Sequence, residues 1–346
     1  MDLYSSLIIN LVFLICLYFF FKKKSFLIDN TSFSIHKKIG KENNSPILIG
    51  GLYLLFLTLF HFKNLTIEIH IILFLVCLIG IMSDKNFVTS ALSRFLLQLL
   101  LLFLIVYFGN LNINDLRIDF LNEILKNRLL NISLTIFCLA ILLNGTNFID
   151  GLNGLAVGYY ILLLASLIFV MLLNNQVIIK EYNYNFIVIL FYSLIFFFVL
   201  NIFGKVYMGD SGSYLIAIII GIYLIKFYEL NIHISPYYIA LLLWYPAFEN
   251  LFSLVRRLIR QNKISKPDNM HLHQLIFRYL RIKKYFNYKM INSISSIIIL
   301  LFNIPSFIFA SLNIFDTKKL LLILAINILA YCIVYLKIKF FLSNKD

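Results

Sequence analysis

The chain has 346 residues, of which 61% are hydrophobic and 13% are charged, and its mean hydropathy is +0.91. A water-soluble protein of this length has no interior large enough for so much apolar surface, so part of its solvent must be lipid. The formal net charge is +14. Because the basic residues flank apolar runs, this charge favours anionic lipid headgroups and anionic substrates as partners and argues against nucleic acid.

Apolar runs close to the roughly 20 residues needed to span a bilayer recur along the whole chain. We identify eleven, at 4–21, 47–62, 67–82, 92–108, 129–143, 155–173, 186–201, 213–227, 237–255, 290–313 and 319–336. No soluble domain fits between them. The runs predict an all-α, polytopic membrane protein of eleven transmembrane helices, in which residues 1–346 form a single integral-membrane domain.

The first run indicates the orientation of the chain. It has no basic leader and is followed by Lys22, Lys23 and Lys24, the reverse of a cleavable signal peptide. We therefore expect a retained helix with its N-terminus outside. Alternating the later spans puts the C-terminus, a basic loop at 256–289 and most of the 30 Lys and Arg residues in the cytoplasm, as the positive-inside rule requires.

The most informative segment runs from Asn144 to Gly158, between two apolar runs. It places Asn147, Asp150 and Asn153 among glycines. A carboxylate near mid-membrane costs roughly 2.5–3.5 kcal/mol on an insertion scale, so a chain that keeps one there usually uses it. Close helix packing would explain the glycines but not the Asn and Asp residues. The segment therefore predicts part of an active site.

Further polar residues fall on the same predicted membrane face. Ser90, Arg94 and Gln98 are spaced four apart and share one face of a starting helix. The remaining polar residues of this face are Ser83, Asp84, Lys85, Asn201, Lys205, Asp210 to Ser213, Glu249, Asn250, Arg256, Arg257, and Pro267 to Gln274.

Each of these clusters also has a plainer interpretation. Asp84 and Lys85 would form an ordinary ion pair at a helix end, and Asp210 would suit the N-cap of the next helix. His271 and His273 are two residues apart and do not share a helix face, which is typical of a solvated loop. Arg256 and its neighbour would serve as a positive-inside anchor.

Taken together, the clusters predict more than these separate roles. Carboxylates from three loops converge with Lys, Arg and His on one face. Oxygen ligands suit Mg²⁺ or Mn²⁺, which commonly binds one or two carboxylates plus substrate phosphates. Cationic side chains suit phosphate oxygens. We therefore expect a metal-bound diphosphate to meet a lipid substrate at the membrane interface.

These motifs resemble the polyprenyl-phosphate N-acetylhexosamine-1-phosphate transferases, glycosyltransferase family 4, over most of the chain. They are closer to the branch acting on UDP-N-acetylhexosamines than to the peptidoglycan branch. The matching motifs are Asp29, His36 and Pro46-x-x-x-Gly50-Gly51; Gly80-x-x-x-Asp84 with Arg94 and Gln98; Asn147-Phe-Ile-Asp150-Gly-Leu-Asn153-Gly; Met208-Gly-Asp210-x-Gly-Ser; Pro246 to Arg257; and His271-Leu-His273.

The resemblance implies transfer of N-acetylhexosamine 1-phosphate, by default N-acetylglucosamine 1-phosphate, from a UDP-sugar to undecaprenyl phosphate with release of UMP. This would be the first membrane step of cell-surface polysaccharide synthesis, at the cytoplasmic face of a bacterial inner membrane, and a homodimer is compatible with it. The implied residues are Asp84, Lys85 and Asp150 in catalysis; Asp210, Asn147 and Asp150 on Mg²⁺ or Mn²⁺; and Asn147, Asn153, Arg94, Lys205, Arg256, Arg257, His271 and His273 on substrate.

The chain departs from the family pattern at two positions, Ser83 and Asn153, where aspartates are usual. A lipid phosphate, with a second pKa near 6, is already ionised and needs little proton removal. We therefore expect Asp84 to position that phosphate or tune Lys85. Two alternatives stay open: an inactive relative, and a transporter or flippase, which would place polar residues near the midplane and often within internal repeats.

Overall fold

The computed structural model describes residues 3–24, 27, 46–174, 176–178, 181–259 and 270–345. The predicted motif residues Asp29, His36 and Pro267 to Asn269 lie outside these ranges. The helices are α1 Leu3–Lys24, α2 Gly50–His61, α3 Ile67–Asp84, α4 Ala91–Gly109, α5 Asp119–Leu125, α6 Arg128–Ile149, α7 Leu155–Leu173, α8 Glu181–Ile202, α9 Gly209–Leu230, α10 Pro236–Leu242, α11 Trp244–Ile259, α12 Leu272–Lys283, α13 Tyr288–Leu312 and α14 Thr317–Ser343. The strands are β1 Ile47–Leu48 and β2 Val206–Tyr207.

Within the described ranges, nine helices are long and apolar enough to cross a membrane: α1, α3, α4, α6, α7, α8, α9, α13 and α14. Helices α10 and α11, bent by 72° at a short break, would make a tenth span. Helix α2 occupies the predicted run 47–62, but its 12 residues extend only about 18 Å. The all-α, polytopic architecture is confirmed, whereas the eleven spans and their orientation stay predictions.

Helix α9 forms the centre of the molecule. It is buried on nearly all sides and packs against α2, α3 and α6, as its near-continuous apolar sequence predicts. The approach of α3 depends on a glycine, because a Cβ at Gly80 would lie 2.2 Å from the Ser211 Cα. This close packing brings the end of α3 against the start of α9.

The break between α10 and α11 exposes backbone groups that have no helical partner. The Tyr159 hydroxyl donates to the Leu242 carbonyl at 2.8 Å and accepts from the Tyr245 N–H at 3.4 Å. Unpaired backbone groups are costly in an apolar interior, so Tyr159 stabilises the bend. Beyond the bend, α11 packs along α6 and carries Glu249 to the end of the molecule where α6 finishes.

Two smaller features organise the same end. β1 and β2 pair in parallel, with Ile47 opposite Val206, and so join the segments that precede α2 and α9. Helix α12 packs against α13 and α14. The predicted loop 256–289 is therefore substantially helical where the structure describes it, since it holds the end of α11, all of α12 and the start of α13.

Candidate active site

A cluster of polar side chains joins the end of α3 to the starts of α4 and α9. The Ser83 hydroxyl donates to Asp210 Oδ2 at 2.5 Å. Arg94 Nη1 donates to Ser83 Oγ at 2.9 Å and lies 3.5 Å from Asp210 Oδ2. Ser83 and Asp210 are buried and Arg94 is partly exposed, so the arginine forms the open side of this cluster. We call these residues, with Asp84, the Asp210 cluster.

Asp84 is engaged by the N-terminus of α9. Its Oδ1 accepts from the Asp210 N–H at 2.9 Å, and its Oδ2 accepts from the Ser211 N–H at 3.4 Å and the Ser211 hydroxyl at 3.3 Å. A carboxylate there satisfies N–H groups that the helix cannot pair itself. The interpretation of Asp210 as the N-cap was wrong: the N-cap position is Met208 and Asp210 lies in the first turn, while Asp84 of α3 accepts from the N–H groups there and so acts as the cap.

Gly209 makes this cross-helix cap possible. Its φ is +68°, which favours glycine, and a Cβ there would lie 2.7 Å from Asp84 Oδ2. Any larger residue would therefore strain the backbone and push Asp84 away. The Gly-Asp pair of the predicted motif thus fixes the relative positions of Asp84 and Asp210.

Asn147 and Asp150 lie beside the Asp210 cluster. Ser213 Oγ is 3.2 Å from Asn147 Oδ1 and 3.1 Å from the Asp210 carbonyl oxygen, so it links the last turn of α6 to the first turn of α9. Asp150 is the C-cap of α6, and its N–H donates to the Thr146 carbonyl at 3.1 Å. The structure therefore brings Asn147 and Asp210 into one site, with Asp150 three residues beyond Asn147 at the end of the same helix; a contact of Asp150 with the metal stays a prediction.

These oxygens suit a metal that arrives with its substrate. The described residues contain no group of three or more His, Cys, Asp and Glu that would hold an ion alone. Among them, the contacts of the Asp210 carboxylate all fall on Oδ2, from Ser83, Arg94 and Tyr214. This leaves Oδ1 for a cation such as Mg²⁺, which commonly completes its shell with phosphate oxygens and water. The metal stays a prediction.

The turn between α6 and α7 is held from two sides. The Asn153 N–H donates to Asn292 Oδ1 at 2.6 Å, and the Gly154 N–H donates to Asn201 Oδ1 at 2.8 Å. Lys205 is exposed in the turn between α8 and β2, and Lys85 follows Asp84 as the half-buried C-cap of α3. The substrate and catalytic roles of Asn153, Lys205 and Lys85 stay predictions.

A second cluster, the His271 cluster, is built around a buried carboxylate of α11. Glu249 Oε1 accepts from His271 Nδ1 at 2.8 Å and the Leu272 N–H at 3.4 Å. Glu249 Oε2 accepts from the Tyr331 hydroxyl at 2.8 Å. Because the carboxylate is an acceptor, His271 Nδ1 carries a proton, and its Nε2 is the nitrogen left to act on a ligand.

His273 completes this cluster. Its ring lies 5.5 Å from the His271 ring at an interplanar angle of 11°. The plainer interpretation of the two histidines as a solvated loop was wrong, because both are buried. His271 is the N-cap of α12 and has extended backbone, so helical periodicity does not separate the two rings. His273 is fully buried, and neither ring nitrogen has a hydrogen-bond partner among the described residues.

The surroundings of His273 keep its ring neutral. Burial is the main cause, and the neighbouring His271 adds to it, so that the pKa of His273 falls to about 3 although Glu249 opposes the shift. A Cβ on Gly151 would lie 2.7 Å from His273 Nε2. The histidine therefore lies directly against the turn that follows Asp150.

The two arginines of α11 differ in position. Arg257 lies over the Phe148 ring at 5.7 Å, and that ring is 4.9 Å from the His271 ring. Arg256 is buried between the rings of Phe252 and Tyr335, at 5.5 and 5.6 Å. Arg257 thus lies with the His271 cluster, whereas Arg256 packs between α11 and α14. A substrate role for either stays a prediction.

Three residues that contribute to the site were missed in the sequence, because none of them belongs to a motif: Tyr214, Asn292 and Tyr331. A signal existed for the partner of Tyr331, because Glu249 is an acid within an apolar run. Nothing in the sequence connects it to a tyrosine 82 residues later.

The fold and the site define a multi-pass, all-α membrane protein whose polar residues gather at helix ends on one face. Residues 66–228 match the model of glycosyl transferase family 4. This segment extends from the start of α3 almost to the end of α9 and includes the whole Asp210 cluster. The resemblance to glycosyl transferase family 4 is therefore confirmed over residues 66–228.

Curated relatives agree with this assignment. A probable undecaprenyl-phosphate N-acetylglucosaminyl 1-phosphate transferase of Bacillus subtilis (strain 168) is 30% identical over 207 residues, 60% of this chain and 56% of that protein. Undecaprenyl-phosphate alpha-N-acetylglucosaminyl 1-phosphate transferases of Escherichia coli (strain K12) and Thermotoga maritima are 27% and 30% identical, over 60% and 40% of this chain and 59% and 40% of their own. The chain therefore matches less than two thirds of the length of these relatives.

Proposed function

We propose that this protein transfers N-acetylhexosamine 1-phosphate from a UDP-sugar to undecaprenyl phosphate and releases UMP. The observation that carries the proposal is the Asp210 cluster, which presents a carboxylate and an arginine at helix ends inside the family-matched segment. The relatives' names support undecaprenyl phosphate as acceptor and N-acetylglucosamine 1-phosphate as the transferred group.

The reaction is a phosphoryl transfer. An oxygen of undecaprenyl phosphate attacks the β-phosphorus of the UDP-sugar and forms a new P–O bond. The bond from that phosphorus to the bridging oxygen breaks, and UMP leaves with the bridging oxygen and the bonding electron pair. Because the attacking phosphate is largely ionised near neutral pH, the site needs to position and neutralise its substrates more than to remove a proton.

The residues in and beside the Asp210 cluster would have different roles in binding and neutralising the substrates. Asp210, Asn147 and Asp150 would hold Mg²⁺, which would neutralise charge on the diphosphate. Arg94 lies on the open side, where a guanidinium can bind phosphate oxygens. Asp84 acts indirectly, because its hydrogen bonds to the start of α9 fix the position of Asp210.

The His271 cluster would hold the other end of the donor. Glu249 fixes the His271 ring so that Nε2 faces away from the carboxylate, and Arg257 lies nearby over Phe148. With the proton on Nδ1, Nε2 of His271 can accept from a sugar hydroxyl, and the Arg257 guanidinium is a suitable donor to diphosphate oxygens. The excess of Lys and Arg in the predicted inner loops supports a cytoplasmic site.

The proposal is tested by incubating the purified protein with Mg²⁺, undecaprenyl phosphate and a panel of UDP-sugars, and then measuring UMP. We expect UMP with one N-acetylhexosamine donor, and none without the lipid or the metal. Failure to release UMP with every donor, together with tight UDP-sugar binding, would instead identify an inactive relative. Nothing in the described residues or the relatives' names favours transport.

A further inference from the structure

A cavity of about 490 Å³ lies at the end of the molecule remote from the candidate active site. It is formed by the last turn of α4, the segment leading to α5, and the first turns of α6. Helices α4 and α6 carry Arg94 and Asn147 at their other ends, so the two sites are a helix length apart. The asparagine and basic residues lining the cavity are Asn110, Asn112, Asn114, Lys126, Arg128 and Asn131.

The floor of this cavity is built in advance of any ligand. The buried Asn131 side chain accepts from the Ile113 N–H at 3.1 Å and donates to the Ile113 carbonyl at 2.9 Å. The Asn112 N–H donates to Glu229 at 3.3 Å. These bonds fix the segment after α4 against α6 and α9, so the cavity keeps its shape, as pre-formed ligand sites usually do.

The charge of the lining suits an anion. It includes two cations, Lys126 and Arg128, and no Asp or Glu. Glu123 pairs with Lys126 at 2.6 Å, but both side chains are largely exposed, and such pairs contribute little. Arg128 has no acidic partner among the described residues. An arginine with neighbouring amide groups is suited to the several oxygens of a phosphate.

The surface around the cavity indicates where that phosphate comes from. The apolar part of the cavity wall consists of Val106, Leu125 and Ile132. Large apolar side chains are exposed nearby, at Phe103 on α4 and Leu129 on α6. A free phosphate would leave this surface uncovered, whereas a phospholipid would cover it with acyl chains. We propose that the cavity binds the phosphate headgroup of an anionic glycerophospholipid, in the leaflet opposite the candidate active site.

Native mass spectrometry of the full chain in detergent tests this proposal, with phosphatidylglycerol, phosphatidylcholine and inorganic phosphate as probes. We expect one phosphatidylglycerol to be retained in preference to phosphatidylcholine. Arg128→Gln should weaken its binding roughly fivefold, the effect of one basic residue at an anionic surface. Ile132→Trp, which keeps the charge but fills the cavity, should also displace the lipid.

The matched control is Lys318→Gln. Lys318 is exposed on the same face, because Arg117 of the segment after α4 bonds to Thr317 beside it, but it does not line the cavity. Its loss should leave lipid retention unchanged.

Equal retention of the two lipids, or equal effects of Arg128→Gln and Lys318→Gln, would overturn the proposal. Displacement of the lipid by inorganic phosphate would assign the cavity to a free anion. If Arg128→Gln does not fold, lipid retention by Ile132→Trp is measured instead. Retention of lipid by that variant would also overturn the proposal.

Discussion

The Asp210 cluster and the His271 cluster lie on one face of the protein but use their carboxylates differently. Asp84 accepts hydrogen bonds from backbone N–H groups and so fixes a helix end. Glu249 accepts from an imidazole and a phenol and so fixes a side chain. In both clusters an acid orients another functional group, so a carboxylate near an active site need not itself touch the substrate.

The two clusters also differ in what they leave unpaired. In the Asp210 cluster, the described contacts of the central carboxylate fall on one oxygen and leave the other for a cation. In the His271 cluster, the buried carboxylate is bonded through both oxygens, while His273 has no hydrogen-bond partner among the described residues. We infer that the first cluster binds metal and phosphate, and the second presents uncharged or cationic nitrogens to the donor.

The largest effect should come from Asp210→Ala. This substitution removes the predicted metal ligand and the acceptor of Ser83 and Arg94, so UMP release should fall by roughly a hundredfold or more, as when a key electrostatic group is lost from a catalytic site. Asp316→Asn, at an exposed position on the opposite face, is the control and should keep full activity. Near-normal turnover of Asp210→Ala would show that the metal assignment is wrong.

Glu249→Gln tests the His271 cluster. The amide oxygen can still accept from His271 Nδ1, but the hydrogen bond is no longer strengthened by the negative charge of a carboxylate. We expect KM for the UDP-sugar to rise roughly tenfold, with a smaller change in kcat, in a steady-state assay of UMP release. Tyr331→Phe, which removes the bond to the other oxygen, should change KM less. A fall in kcat at constant KM would contradict a binding role for this cluster.

Two substitutions of Asp84 distinguish a structural role of this residue from a chemical one. Asp84→Ala removes the cap of α9, a loss of about 0.5–2 kcal/mol, and should lower the melting temperature clearly. Asp84→Asn keeps an acceptor for the Asp210 N–H and should melt closer to the wild-type protein. Equal melting of both variants and the wild type would show that the cap is unimportant. A large loss of turnover in Asp84→Asn, with unchanged melting and UDP-sugar binding, would indicate a role at the lipid phosphate.

The neutral His273 predicts a pH dependence of stability. In the unfolded chain its pKa returns to about 6.5, whereas in the folded protein it is about 3. Between these values only the unfolded chain binds the proton, so stability is highest above pH 6.5 and falls as the pH drops toward 3. Between pH 7.5 and pH 5, the melting temperature of His273→Phe should therefore fall less than that of the wild type. Parallel losses would mean that His273 does not titrate in this way.

Ser83 should give the smallest effect. Ser83→Ala removes one hydrogen bond to Asp210, worth about 0.5–1.5 kcal/mol, while Arg94 remains beside the carboxylate, so turnover should fall only a few-fold. Ser83→Asp would place a second carboxylate against Asp210 and should reduce stability further. Higher turnover in Ser83→Asp would instead show that the family's usual aspartate has a chemical role that serine cannot supply.

Much of the site was predictable, because local motifs occur at the ends of apolar runs. Alternating spans bring those ends to one face, so the association of Asp84, Arg94, Asn147 and Asp210 follows from the sequence pattern. Which groups pair in the individual hydrogen bonds does not follow from that pattern. That Asp84 caps α9 depends on the close packing of Gly80 against Ser211.

The His271 cluster was harder to predict for two physical reasons. The backbone at a helix N-cap does not follow the helical period, so two histidines that periodicity separates become stacked. Glu249 reaches them only because α11 follows a bend that Tyr159 of a different helix stabilises. Both features depend on tertiary contacts that no local pattern contains.

The most direct test of the proposed transfer is release of UMP from UDP-N-acetylglucosamine by the purified protein with Mg²⁺ and undecaprenyl phosphate. We expect UMP and undecaprenyl-diphospho-N-acetylglucosamine in equal amounts, with neither formed by Asp210→Ala. Release of UMP without the lipid product, or no product with any UDP-N-acetylhexosamine, would contradict transfer to the lipid phosphate.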